Sequence, residues 1–189
     1  MFSNDLEKYL PDLRAYARML CGDIVRADDI VQNACLKAWE NRSGFDPDKG
    51  ALRGWLFRIV RNEFYQQKRA DQVRETDDTI SIEIQLIDEC GLETRSELNR
   101  MLRAIQSLKH AQRDAFLLVA AAGFTYQEAA DVLGCSEGTV KSRVSRAREM
   151  ALGKFNSEQW IEDKQDRSSS PIAQLHEALN RIQAMSRVA

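Results

Sequence analysis

The stretch that decides the fold is residues 123–148, which read GFTYQEAADVLGCSEGTVKSRVSRAR. Thr125 and Glu128 have the spacing of a capping box, in which a hydroxyl and a carboxylate satisfy free backbone N–H groups at the start of a helix. Gly134 ends the short helix that follows, because glycine takes a positive φ without steric cost. Ser136 can cap the next helix. The stretch therefore predicts two helices joined by a tight glycine turn.

The second of these helices, from Glu137 to about Met150, has a buried stripe and a basic surface. The apolar positions at helical spacing are Val140, Val144 and Ala147. The remaining surface carries Thr139, Lys141, Ser142, Arg143, Ser145, Arg146 and Arg148. A short helix, a glycine turn and a basic helix are typical of a helix-turn-helix, whose second helix enters the major groove of DNA. A plain helical hairpin with a cationic surface is the alternative.

Charge is distributed unevenly along the chain, although the net charge is only −2 over 189 residues. Residues 1–75 carry 13 basic and 12 acidic side chains, whereas residues 76–99 carry one basic and seven acidic ones. Residues 100–154 carry nine basic and five acidic side chains, so this segment is +4. A basic segment next to an acidic one indicates separate functional regions, which the net charge hides.

The composition favours an all-α protein, because glycine and proline together number only 12 of 189 residues, about half the usual share. Residues 76–99 lose helical periodicity, and the alternating run at 79–84 has no partner strand. Beyond 155, an apolar face predicts a helix that packs on the chain or docks a partner, unless the segment is disordered. We therefore expect a helical domain over 1–75, an acidic linker over 76–99, a helix-turn-helix domain over 100–155 and a tail over 156–189.

Three helices are predicted in the first domain, ending near Gly22, near Asn41 and near Arg69. The third, from about Leu52, has an apolar face and an opposite face that carries Arg53, Arg58, Arg61, Lys68 and Arg69. Two aromatic residues, Phe57 and Tyr65, lie among these cations on a helical wheel. Cations with interleaved rings suit single-stranded nucleic acid, since cations hold phosphates and rings stack on bases. A solvated face with two half-buried rings is the alternative.

Several functional classes are not supported by the sequence. The four cysteines form no CxxC pair and only two histidines accompany them, so we expect no metal site and no cofactor. The first residues lack the pattern of a signal peptide, and the longest apolar run, 115–124, is too short to span a bilayer. No catalytic constellation or small-molecule site is evident. We expect a reduced, cytoplasmic protein that is not an enzyme.

Three stretches resemble the extracytoplasmic-function (ECF) sigma factors, which direct bacterial RNA polymerase to promoters. These are RADDIVQN at 26–33, LRGWLFRIVRN at 52–62, and GFTYQEAA at 123–130 with GTVKSRVSRAR at 138–148. The pairs Arg61-Asn62 and Phe64-Tyr65 are most similar to the subgroup that serves the alphaproteobacterial general stress response. The chain departs from the family at Gln66, where Asp is frequent, and at Asn33, where Glu is frequent.

The resemblance implies three partners, namely core RNA polymerase, promoter DNA and an anti-sigma factor. It implies polymerase binding by Asp28, Asp29, Gln32, Asn33 and Lys37. It assigns binding and melting of the minus-ten element to Arg53, Phe57, Arg58, Arg61, Asn62, Tyr65 and Arg69. Recognition of the minus-thirty-five element falls to Thr139, Lys141, Ser142, Arg143, Ser145, Arg146 and Arg148. The alternatives are a sigma-like decoy that sequesters an anti-sigma factor without binding DNA, and an ordinary helix-turn-helix regulator.

Overall fold

The structure is a computed structural model of the chain and describes residues 2–47, 51–74 and 100–159. The N-terminal unit consists of helices α1 (Phe2–Cys21), α2 (Ile24–Glu40) and α3 (Leu52–Arg74), with a 3₁₀ turn at Arg42–Gly44 after α2. The C-terminal unit consists of α4 (residues 100–106), α5 (His110–Phe116, continuing as a π-helical segment Leu117–Ala121), α6 (Tyr126–Leu133) and α7 (Glu137–Gln159). Every regular element in the described residues is helical, which confirms the all-α prediction.

The ends of the N-terminal helices follow from local chemistry. Gly22 ends α1 with a φ of 76°, as expected for a glycine cap. Asp23 caps α2 by accepting a 2.6 Å hydrogen bond from the Arg26 backbone N–H. Helix α3 continues five residues past the predicted end at Arg69. Asp71 in this extension forms an ion pair with Arg26 of α2, which holds the extra turn against the unit.

The helix-turn-helix forms as the sequence predicts. Thr125 Oγ1 accepts from the Glu128 N–H at 3.2 Å, and Glu128 Oε2 accepts from the Thr125 N–H at 2.8 Å. Gly134 turns the chain with a φ of 65°, and the Ser136 hydroxyl accepts from the Thr139 N–H. The predicted stripe of α7 is buried, namely Val140, Val144 and Ala147. Helix α7 is longer than predicted, because Ala151 and Phe155 continue this stripe to the core.

The two units pack on each other and share one continuous core. Helix α3 lies against α6, and α1 lies against the π-helical segment. Gly54 of α3 lies at this contact, where a Cβ would be in ordinary van der Waals contact with Val132 Cγ2, at 3.4 Å. The predicted linker 76–99 and tail residues 160–189 lie outside the described residues.

Candidate nucleic-acid interface

The recognition helix α7 presents polar side chains away from the core. Lys141, Ser142, Ser145 and Arg146 are exposed, whereas Thr139, Arg143 and Arg148 are half-buried. The Lys141 amine pairs with the Glu137 carboxylate one turn earlier at 2.7 Å. This hydrogen bond raises the pKa of Lys141, so the side chain stays charged at neutral pH. The exposed members form a single basic and hydroxylated surface.

The half-buried members of the set are held by neighbouring groups. The Arg143 guanidinium lies 3.6 Å from the Cys135 Sγ in the turn between α6 and α7. The Thr139 hydroxyl lies 2.8 Å from the Ser136 hydroxyl, so it takes part in capping α7. These side chains are less exposed than those of Lys141 and Arg146. The structure thus separates an outer pair of cations from inner, more constrained groups.

The basic face of α3 is covered by the C-terminal unit. The Arg53 guanidinium donates to the Ala122 carbonyl and lies 4.1 Å from the centre of the Phe124 ring. The Arg58 guanidinium donates to the Asp131 carbonyl, although the side chain remains exposed. Two cations of the predicted minus-ten surface are therefore bound to backbone carbonyls of the other unit.

Phe57 is not on an open face. Its side chain has 0% exposure and lies between Tyr16 of α1 and Phe124, with ring centres 5.1 and 4.9 Å away. The expectation that both rings lie among cations rather than apolar groups therefore fails for Phe57. A helical wheel of α3 alone omits α1 and the C-terminal unit, which supply this apolar pocket.

Tyr65 and Arg61 converge on a carboxylate that the sequence analysis did not select. Asp114 of α5 has 0% exposure and accepts from Arg61 Nε and from the Tyr65 hydroxyl, each at 2.7 Å. Burial and the adjacent Asp114 charge raise the pKa of Tyr65, which keeps the phenol protonated. Burial alone would lower the pKa of Arg61, but Asp114 raises it. The one sequence signal was an Asp placed directly before the apolar run 115–124.

A groove of about 250 Å³ opens beside this cluster. Its lining consists of Arg61, Asn62, Tyr65, Arg69, His110 and Ala111. The imidazole of His110 stacks on the Tyr65 ring at 5.4 Å, and burial together with Lys68 and Arg113 lowers the pKa of His110. Asn62 and Arg69 are exposed at the rim. Four of the seven predicted minus-ten residues thus meet at one groove formed by both units.

The outer face of α2 combines acidic and apolar side chains. Asp28, Asp29, Gln32 and Asn33 are exposed, and so are Val25, Leu36 and Trp39, at 73%, 56% and 47%. These apolar side chains lie on the same helix as the predicted polymerase-binding residues. We call the set Val25, Asp28, Asp29, Gln32, Asn33 and Leu36 the α2 face.

Lys37 is oriented differently from the other predicted polymerase-binding residues. Its amine pairs with the Glu63 carboxylate at 2.5 Å and donates to the side-chain amide oxygen of Gln66 at 2.9 Å, both on α3. Gln66, which departs from the family pattern, therefore has a partner on α2. Lys37 joins two helices of the N-terminal unit in this arrangement.

Two family matches account for the two units. Residues 6–74 match Sigma-70 region 2, and residues 98–150 match Sigma-70, region 4. In the part of the chain that the structure describes, no helix is long and apolar enough to cross a membrane, and no group of side chains is arranged to hold a metal ion. Region 2 contains α3 and the α2 face, and region 4 contains the helix-turn-helix.

Similar proteins carry the same assignment. The chain is 39% identical over 147 residues to the ECF RNA polymerase sigma factor EcfG of Rhodopseudomonas palustris, covering 77% of this chain and 80% of that protein. It is 34% identical over 139 residues to the RNA polymerase sigma factor NccH of Alcaligenes xylosoxydans xylosoxydans, covering 70% and 74%.

A solved structure extends this likeness to three dimensions. The sigma factor RpoE in complex with the anti-sigma factor NepR from Bartonella quintana matches with a TM-score of 0.71 and 37% identity, covering 82% of this chain and 96% of that one. These relatives are polymerase sigma factors, which favours that function over the decoy alternative. The chain belongs to the ECF family of RNA polymerase sigma factors.

Proposed function

We propose that this sigma factor divides promoter recognition between α7 and α3 while the α2 face holds core polymerase. The observation that carries the proposal is the placement of Lys141 and Arg146, which are exposed on the outer surface of the second helix of the motif. In a helix-turn-helix this surface meets base edges in the major groove. The minus-thirty-five element is the duplex segment that α7 would read.

Within α7, the exposed and constrained cations would have different roles. Lys141 and Arg146 would read base edges, with Ser142 and Ser145 beside them, because exposed side chains can enter the groove. Arg143 and Arg148 would contact phosphates, which fix the register of the protein without reading sequence. Lys141 must leave Glu137 to reach DNA, so Glu137 would lower non-specific affinity.

The α2 face suits a protein partner better than DNA. Its charges are acidic and would repel phosphates, and the apolar Val25 and Leu36 need a protein surface to cover them. Core polymerase is the partner that region 2 implies. Lys37 would act indirectly in this arrangement, by fixing α2 against α3 through Glu63.

The minus-ten element would be bound as a single strand by α3. Arg53, Arg58, Arg61 and Arg69 supply phosphate contacts, and Tyr65 supplies a ring for an unpaired base. Because Arg53, Arg58, Arg61 and Tyr65 are bonded to the C-terminal unit, the two units must separate before the strand can take its full site. Phe57 would be reachable only after that separation.

The proposal extends to regulation and location. We infer that an anti-sigma factor restrains this protein, as NepR is bound to RpoE in the similar solved structure. We also propose a role in the general stress response, on the resemblance of Arg61-Asn62 and Phe64-Tyr65 to that subgroup. The protein would act in the cytoplasm as a transcription factor without catalytic activity of its own.

A double substitution on α7 tests the division of labour. Lys141→Ala with Arg146→Ala is expected to abolish promoter-specific initiation and leave core polymerase binding unchanged. The matched control, Arg143→Ala with Arg148→Ala, is expected to weaken binding to all DNA sequences alike and to reduce its salt dependence. Full run-off activity from the first variant would remove Lys141 and Arg146 from the reading role.

A second pair of variants tests strand opening by Tyr65. Tyr65→Ala is expected to reduce permanganate reactivity of the promoter bubble, since one base–aromatic stack is worth about 1–3 kcal/mol. Tyr65→Phe keeps the ring and loses only the hydroxyl, so the bubble is expected to persist. Equal reactivity in both variants, with a stable protein, would show that the ring is structural.

A further inference from the structure

In the structure the two units pack on each other, which we call the closed state. The closed state covers one of the three proposed binding surfaces and leaves the other two exposed to solvent. The α2 face and the outer surface of α7 are exposed, whereas Arg53, Arg61 and Tyr65 of α3 are bound by the C-terminal unit. Closure therefore acts on strand binding in particular. Asp114 of the C-terminal unit supplies the carboxylate that binds Arg61 and Tyr65 directly.

The Asp114 contacts are those that a DNA phosphate would make. A phosphate offers two anionic oxygens, which accept charge-assisted hydrogen bonds from guanidinium and phenol groups. The Asp114 carboxylate offers two oxygens at 2.7 Å to one guanidinium, of Arg61, and one hydroxyl, of Tyr65. Both of these groups belong to the proposed minus-ten site. The carboxylate thus satisfies the two groups that a strand phosphate would otherwise bind.

The groove lined by Asn62 and Arg69 lies next to this carboxylate and faces solvent. A strand can enter there and meet Asn62 and Arg69 while the units are still closed. The remaining groups, Arg61 and Tyr65, become available only when Asp114 leaves. The groove would thus give a strand a place to bind before it displaces the carboxylate.

We propose that Asp114 is an internal latch that mimics a promoter phosphate, closes region 4 onto α3 in the free factor, and is displaced by the minus-ten strand. This inference rests on the proposed function of α3. It predicts that the free protein binds single strands weakly because its own carboxylate competes, and not because the basic face is poorly formed.

The test compares two variants of the full chain, each of which replaces one carboxylate with an uncharged amide. Asp114→Asn removes the latch charge and keeps the side-chain shape, whereas Asp71→Asn removes a carboxylate that pairs with Arg26 inside the N-terminal unit. Two readouts are measured without polymerase, namely affinity for a fluorescein-labelled single-stranded oligonucleotide and energy transfer between dyes at the exposed Glu40 and Glu149.

Asp114→Asn is expected to lower energy transfer and to tighten oligonucleotide binding about ten- to hundredfold, the scale of a hydrogen-bonded charge. Asp71→Asn is expected to change neither. Unchanged energy transfer in Asp114→Asn would overturn the latch. Lower energy transfer with unchanged oligonucleotide affinity would instead overturn the proposed strand-binding role of α3, and with it the competition.

A cross-link tests the same inference without altering Asp114. A Cβ at position 54 would lie 3.4 Å from Val132 Cγ2, so Gly54→Cys with Val132→Cys can form a disulfide in the closed state. The oxidised protein is expected to lose oligonucleotide binding at least tenfold and to regain it on reduction, while each single variant is insensitive to reductant. Equal binding by the oxidised and reduced forms would contradict the latch.

Discussion

Phe124 forms the apolar half of the contact between the two units, and its truncation is the sharpest probe of their closure. The side chain is 4% exposed, its ring packs edge to face on Phe57 at 4.9 Å, and the Arg53 guanidinium lies over it. Phe124→Ala removes both contacts and leaves the Asp114 cluster in place. The closed state is expected to weaken while both helical units stay folded.

The magnitude follows from burial and ring geometry. Burying a phenylalanine side chain is worth about 1.5–3 kcal/mol, and an edge-to-face pair adds about 0.5–1.5 kcal/mol. The closed state is therefore expected to lose about 2–4.5 kcal/mol relative to the open state. Because 1.4 kcal/mol is a factor of ten, the closed-to-open ratio falls roughly 30- to 1,600-fold.

Phe155 provides the matched control. It is also 4% exposed and also lies beneath a guanidinium, that of Arg100 at 4.4 Å, but it belongs to α7 inside the C-terminal unit. Phe155→Ala is expected to lower the free energy of unfolding of that unit by about 3–5 kcal/mol without opening the interface. If energy transfer between Glu40 and Glu149 fell equally in both variants, or in neither, the reasoning about Phe124 would be refuted.

Three further outcomes are expected. Thr125→Ala removes the cap of α6 and is expected to lower the free energy of unfolding, measured by chemical denaturation, by about 0.5–2 kcal/mol. Hydrogen bonds from Thr125 lower the pKa of Glu128. The capping contribution is therefore present at neutral pH and is lost as the pH falls through that lowered pKa. Burial and the nearby Lys68 charge lower the pKa of His110 in the closed state. Protonation of His110 is therefore expected to favour the open state as the pH falls below about 6.5, the ordinary pKa of histidine. The energy transfer is expected to fall over this pH range in the wild-type protein and not in His110→Gln. Replacing the seven carboxylates of residues 76–99 with amides is expected to tighten non-specific DNA binding and steepen its salt dependence; unchanged isotherms at two salt concentrations would show that the segment does not compete.

The helix-turn-helix could be predicted closely because its determinants are local. A capping box, a glycine turn and an apolar stripe each depend on residues within one or two helical turns, so Thr125, Gly134 and Val140 were assigned correctly. The exposed surface of α7 followed from the same periodicity. The end of α3 was placed too early because the ion pair between Asp71 and Arg26 joins distant residues.

The covered face of α3 could not be predicted, because its partners lie far away in sequence. Helical periodicity assigns α3 one buried face and one exposed face. The Phe57 side chain lies on the expected exposed face, but it is buried between α1 and Phe124. Asp114 was overlooked for the same reason, since its partners Arg61 and Tyr65 precede it by 53 and 49 residues. The sequence signal for Asp114 is its position directly before the apolar run 115–124, where a carboxylate is expected to be buried.

Run-off transcription with purified core polymerase tests the central claim most directly. The wild-type protein is expected to produce a transcript of defined length from a promoter template, and the variant Lys141→Ala with Arg146→Ala to produce none while still binding core polymerase. A wild-type protein that binds an anti-sigma factor but yields no specific transcript would contradict the account and favour the decoy.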